Sequence, residues 1–254
     1  MSTAYKSTYT LAYLFLTVLA INAISCKKGN PSLTPLVVKP VDPVPTGLFV
    51  STFSGSGAQG SANGDAASTS YYYPQDIVAD KSGNFYVTDF NNNFIRKITP
   101  AGVSSVFVGT GKVETITGIG TAAGVAHPIA ITIDSKENLY VSDIGNHILK
   151  ISKAGELTFF AGGDGVGTTD GMGALARFNT PSGLTADTND NIYVADENNS
   201  RIRKITPTGL VTTLAGNATQ GKTDGLGTAA SFKLPRHIAI DNKGSLYVSK
   251  QAMI

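Results

Sequence analysis

Short apolar runs recur along residues 74–249 and alternate with polar turns. The stretch PSGLTADTNDNIYVADENNSRIRKITPTGLVTTLAG, residues 181–216, holds four of them. They are too short for helices and rich in β-branched and aromatic residues, which predicts four strands. The same order of runs begins at Pro74, Pro128, Pro181 and Pro235, a spacing of 53 or 54 residues. First runs are DIVAD (76–80), IAITID (129–134), GLTAD (183–187) and HIAID (237–241). Second runs are FYVTD (85–89), LYVSD (139–143), IYVAD (192–196) and LYVS (246–249). Third runs are FIRKI (94–98), ILKI (148–151) and RIRKI (201–205), and fourth runs are VSSVFVG (103–109), LTFFAG (157–162) and LVTTLAG (210–216). Each unit is predicted to be a four-stranded antiparallel meander, and a repeat of this length points to a β-propeller or a related array.

The repeat resembles the NHL family. Its string P-x-G-I-A-x-D, G-N-x-Y-V-x-D, N-x-R-I-x-K is matched by Pro181, Gly183 and Asp187, then Asn191, Tyr193, Val194 and Asp196, then Asn199, Arg201, Ile202 and Lys204. The name-giving Asn-His-Leu is matched by Asn146-His147-Ile148. The resemblance covers about residues 47–249. It implies a β-propeller, usually of six blades, that serves as a docking platform, with a minority of relatives being lyases or lactonases.

Glycine-rich connections such as GGDGVGTTDGMGALARFNT (162–180) separate the units. Eleven residues before each proline stand Asn63, Thr117, Asp170 and Asp224, each followed by Gly, and three residues before stand Tyr71, Val125, Phe178 and Phe232. A short helical turn and an apolar anchor between blades are expected there. This connection resembles an extended NHL variant of bacterial envelope proteins. A further fourth-strand pattern, LFVSTFSG at 48–55, precedes the first unit, and the last unit holds only two strands. The expected architecture is therefore all-β: three full blades plus partial ones in an open arc, with 48–55 as a lone strand. The chain is read as a truncated product of a six-blade parent.

Residues 1–25 read as a signal peptide, because the apolar run 11–21 is shorter than the about 20 residues of a membrane span. Ala23-Ile24-Ser25-Cys26 resembles a bacterial lipobox, although Ala23 stands where Leu is usual. Cys26, the one cysteine of the chain, is the expected lipidation site. Residues 26–46 carry Pro31, Pro35, Pro40, Pro43 and Pro45 and read as an extended tether, with the propeller at 47–254. The expected location is the bacterial cell envelope, as an outer-membrane lipoprotein facing the periplasm or the surface. The alternative is secretion.

A formal charge of +2 gives no electrostatic case for nucleic acid, and leaves the lipid as the only membrane contact. The first strands end in Asp80, Asp134, Asp187 and Asp241, and the second in Asp89, Asp143 and Asp196. Carboxylates around a mouth could bind Ca²⁺ or a polar ligand. Recurrence in every unit favours a structural part, as acceptors of turn N–H groups. No other cofactor is expected. His127, His147 and His237 fall at three different repeat positions, which argues against one metal site. Arg96, Arg201 and Arg203, with Lys97, Lys150 and Lys204, read as solvated strand faces, or alternatively as a surface for an acidic ligand. No catalytic residue is assigned. The expected function is non-enzymatic binding of a protein or glycan. The alternatives are a metal-dependent lyase or lactonase with its site in missing blades, and a non-functional fragment.

Overall fold

The computed structural model describes residues 50–250, so the expected export segment, the expected lipidation site Cys26 and the proline-rich stretch read as a tether lie outside the described residues. Blade 1 consists of β1 (Pro74–Ala79), β2 (Phe85–Asp89), β3 (Phe94–Ile98) and β4 (Ser104–Val108), paired antiparallel in that order. Blade 2 contains β5 (Gly118–Ile119), β6 (Ile131–Ile133), β7 (Leu139–Ser142), β8 (Ile148–Ile151) and β9 (Glu156–Ala161). Blade 3 contains β10 (Gly171–Met172), β11 (Pro181–Ala186), β12 (Ile192–Asp196), β13 (Arg201–Ile205) and β14 (Leu210–Ala215). A last sheet pairs β15 (Pro235–Ile240) with β16 (Leu246–Lys250).

The four-stranded meander is present in blades 1 to 3 as the alternation predicts. The connections hold more structure than a loop. β5 and β10 add a two-residue fifth strand to the outer edges of blades 2 and 3, pairing with β9 and β14. In blade 1 the equivalent is a single bridge, Gly64 to Ser104. Such additions cover outer edges that would otherwise offer unpaired backbone groups. The expected helical turns are 3₁₀ turns at Gly120–Ala122, Gly173–Leu175 and Gly227–Ala229.

The strand expected at 48–55 is not formed: its described part, residues 50–55, is irregular. Gly55 and Gly57 stand at φ 123° and 79°, which breaks an extended run. The Gly55 N–H donates to Ala66 O instead, and Phe53 sets its ring edge-on against Phe85 at 5.5 Å. The strand arithmetic thus has three fourth strands, and no strand pair joins residues 50–73 to β16.

Strand alternation explains how blades stack. Tyr86, Ile95 and Val108 on one face of blade 1 pack against Ile131, Leu139 and Val141 of blade 2. Tyr140, Ile148 and Ala161 meet Leu184, Ile192 and Val194 at the next junction. Tyr193, Ile202 and Ala215 meet Ile238, Leu246 and Val248 at the third. The anchors Val125, Phe178 and Phe232 enter these three clusters. Fully burying such a side chain contributes about 1.5–3 kcal/mol, so the junctions carry much of the fold's stability.

Polar bonds tie the same junctions. Asp76 Oδ2 accepts from Ile131 N–H at 2.9 Å, and Thr88 donates to Ile129 O at 3.0 Å. At the other end of the strands, Glu137 accepts from Lys81 N–H, and Asp190 accepts from both Ser135 N–H and its hydroxyl.

Candidate functional site

The first-strand carboxylates stand in four separate turns. Asp80, Asp134, Asp187 and Asp241 each accept two backbone N–H bonds at 2.8–2.9 Å from residues two and four positions on. The second oxygen accepts from Asn84, Asn138 or Asn191 in the first three blades, and from a tyrosine hydroxyl six residues on in all four. Burial pushes the Tyr86 phenol up to about 12, helped by the Asp80 carboxylate beside it. With these lone pairs engaged, each carboxylate pins its own turn. Among the described residues no three His, Cys, Asp or Glu side chains converge in a metal-holding group.

The second-strand carboxylates lie deeper, and here the reading of Arg96 and Arg203 as solvated is wrong. Both guanidiniums are fully buried, as are Asp89 and Asp196, which they pair with at 3.0 and 2.8 Å. Alternation places Arg96 on the face opposite Tyr86 and Ile95, where the connection holding Ala62, Ser70 and Tyr71 covers it. Arg96 also donates to Ser70 O, Ala62 O and Asn63 Oδ1. Arg203 donates to Arg177 O, Thr169 O and Asp170 Oδ1. Asn63 and Asp170 are residues eleven before the prolines, so in blades 1 and 3 that position holds the buried arginine. The ring three before the proline covers each guanidinium, Tyr71 at 5.0 Å and Phe178 at 5.1 Å. Arg201 keeps a bond to Thr168 O. Lys97, Lys150 and Lys204 lie over Tyr86, Tyr140 and Tyr193 at 5.6–5.8 Å, their stems against the blade.

Blade 2 solves the same problem differently. Leu149 takes the arginine position, and Asp143 instead accepts from Thr115 and from His147, whose Nδ1 stands 3.0 Å away. The bond to Asp143 raises the His147 pKa above its ordinary value, against the opposing effect of burial. His127 stacks on Phe90 at 4.7 Å, while His237 is exposed on β15. The three histidines have no common site.

What the repeat does not require is an aromatic surface on blade 1. Tyr73 sets its ring edge against Phe90, which continues into the His127 stack. Tyr72 and Tyr73 are 40% and 62% exposed. Together with Tyr71 they line an open cleft of about 650 Å³, shared with Ser70, Thr52 and residues 54–59. Sequence reasoning used only Tyr71, as an anchor. The missed signal was the run Tyr71-Tyr72-Tyr73 where the other repeats have Val125-Ala126-His127, Phe178-Asn179-Thr180 and Phe232-Lys233-Leu234.

Comparison with known proteins agrees with this geometry. Residues 178–205 match the NHL repeat family and residues 48–160 match the Teneurin NHL domain family. NHL repeat-containing protein 2 of Bos taurus is 40% identical over 111 residues, 42% of this chain and 15% of that protein. Among solved structures, auxiliary nutrient binding proteins of Bacteroides thetaiotaomicron and Bacteroides ovatus superpose with TM-scores of 0.58 and 0.56, at 20% and 22% identity. Each superposition covers 71% of this chain and 46% of the other, a likeness of fold. The chain thus spans about one seventh of the length of the curated relative and under half of the solved structures. With residues 48–160 covering blades 1 and 2, residues 178–205 covering β11 to β13 of blade 3, and the same strand order and turn carboxylate in all three blades, the chain belongs to the NHL-repeat family.

Proposed function

We propose that the chain is a non-enzymatic binding scaffold, exported and tethered to a bacterial envelope through a lipid on Cys26. One observation carries the binding half. The repeated carboxylates and buried guanidiniums are engaged in intrachain bonds, whereas the exposed aromatic cluster on blade 1 is unique to that blade. A rigid blade stack that presents unrepeated loop residues is a platform for recognition. The Bacteroides binding proteins with the same fold are compatible with this reading. The envelope half rests on the apolar 11–21 run and Ala-Ile-Ser-Cys.

Two experiments on the full-length chain test it. Titration calorimetry against soluble glycans and purified envelope proteins is expected to give a ligand that is bound and recovered unchanged. Stoichiometric metal together with turnover of a lactone would overturn the scaffold. Labelled fatty acid is expected in the wild-type chain and not in Cys26→Ala, and full membrane partition of Cys26→Ala would remove the lipid tether.

A further inference from the structure

We infer that the cleft at Tyr71–Tyr73 is a binding site for a neutral oligosaccharide. The inference rests on the scaffold reading and deepens it by naming the ligand class and the place. The cavity of about 650 Å³ falls within the about 300–1,000 Å³ of small-ligand sites. Its side chains are tyrosines and, beside them, residues that include Thr52, Ser56 and Gln59, and none is ionisable to a full charge at neutral pH. A charged ligand would lose its hydration there without a counter-charge. A pyranose ring has an apolar C–H face and a rim of hydroxyls. Tyrosine rings suit the first, and the amide and hydroxyls of the neighbouring residues suit the second.

The aromatic wall is pre-organised. Tyr72 N–H donates to buried Asp89 at 2.8 Å, which fixes the backbone beneath the ring. Tyr73 is held at φ 61° ahead of Pro74, with its ring against Phe90. Rings held in place before the ligand arrives lower the ordering cost of binding. The cleft is open at Gly57, where a Cβ would have no atom within 4 Å. An extended peptide fits less well. The N–H groups of Gly55, Ser56 and Gly60 already donate to Ala66 O, Thr69 O and Tyr71 O, so they cannot pair with an added strand. Blade construction does not call for tyrosine at these places, since Ala126-His127 and Asn179-Thr180 serve the next two blades.

The chain has ten tyrosines and no tryptophan, so ligand stacking on Tyr72 reads directly in tyrosine fluorescence. The full-length chain would be titrated with neutral β-glucan, mannan and xylan oligosaccharides, and with a uronate-bearing oligosaccharide as the charged comparator. At least one neutral oligosaccharide is expected to bind, with affinity reduced tenfold or more in Tyr72→Ala, largely kept in Tyr72→Phe, and unchanged in a control, Leu226→Ala, whose side chain is exposed in the connection before β15 and does not line the cleft. Melting temperature is expected to be the same in all four proteins. Preference for the uronate, or no neutral binding, overturns the ligand class. Glycan binding that Tyr72→Ala and Tyr73→Ala leave unchanged overturns the place while the scaffold reading stands.

Discussion

At the first two blade junctions an asparagine in the left-handed region closes the loop between the second and third strands. Asn93 (φ 57°) accepts from His127 N–H at 2.9 Å, and Asn146 (φ 67°) accepts from Thr180 N–H at 2.7 Å. Both donors precede a proline and are themselves at positive φ. The third junction has Ser200 (φ 52°) facing Leu234 (φ 49°), and the fully buried Ser200 hydroxyl has no partner. Ser200→Asn is therefore expected to stabilise the protein. An intrachain hydrogen bond adds about 1 kcal/mol net, and asparagine tolerates the left-handed region better than serine. For a domain of this size about 1 kcal/mol corresponds to roughly 2–4 °C in Tm. The reverse change, Asn93→Ser, is expected to cost about 1–3 kcal/mol by orphaning the His127 N–H. Thermal melts at fixed concentration give the magnitude, and amide exchange at Leu234 gives the place. Unchanged Leu234 exchange in a Ser200→Asn protein that melts no higher would refute the reasoning.

Other consequences follow from the two ways of holding the second-strand carboxylate. Arg203→Leu leaves Asp196 buried without its cation and is expected to destabilise by about 3–5 kcal/mol in denaturant unfolding. Adding Arg201→His should recover part of that, because it rebuilds the Leu149–His147 arrangement of blade 2 with Thr168 in the place of Thr115. Folded His147 has a raised pKa, so its contribution is fully present below the unfolded value near 6.5 and is lost as pH rises through the folded value. The melting difference between wild type and Asp143→Asn, measured across that range, should shrink with rising pH. Burial pushes the Asp187 carboxyl up, but bonds from Asn191, Asn189 and Tyr193 outweigh it and hold the pKa below the usual range. Its stabilisation is thus present above the unfolded pKa and lost as pH falls through the folded one. Asp187→Ala should cost on the order of 1 kcal/mol at neutral pH and less in acid.

The repeat made the blades and their turns legible, because each strand's alternation is written several times over and a chance pattern would not recur. Asp80, Asp134, Asp187 and Asp241 could be placed in turns because every unit has the same residue at the same offset. The arginines misled because a charged side chain in a half-polar strand is ordinarily solvated. The corrective was present in the third strand of blade 2, where Leu149 fills the position of Arg96 and Arg203. A place that accepts leucine faces the core, and an arginine there must bring a buried carboxylate with it. The false strand at 48–55 has the opposite cause. Its apolar run copies the fourth strand, yet a strand needs a neighbour with free backbone groups, and β3 already has β4. Local pattern reports what a segment could pair as, while the partner is settled by the rest of the fold. The Tyr71–Tyr73 cleft was illegible for a third reason. It lies where the repeats disagree, and an argument built on recurrence passes over such positions. In a repeat protein, recurrence marks what the architecture needs, so the search for a ligand site begins with exposed side chains that occur in one blade alone.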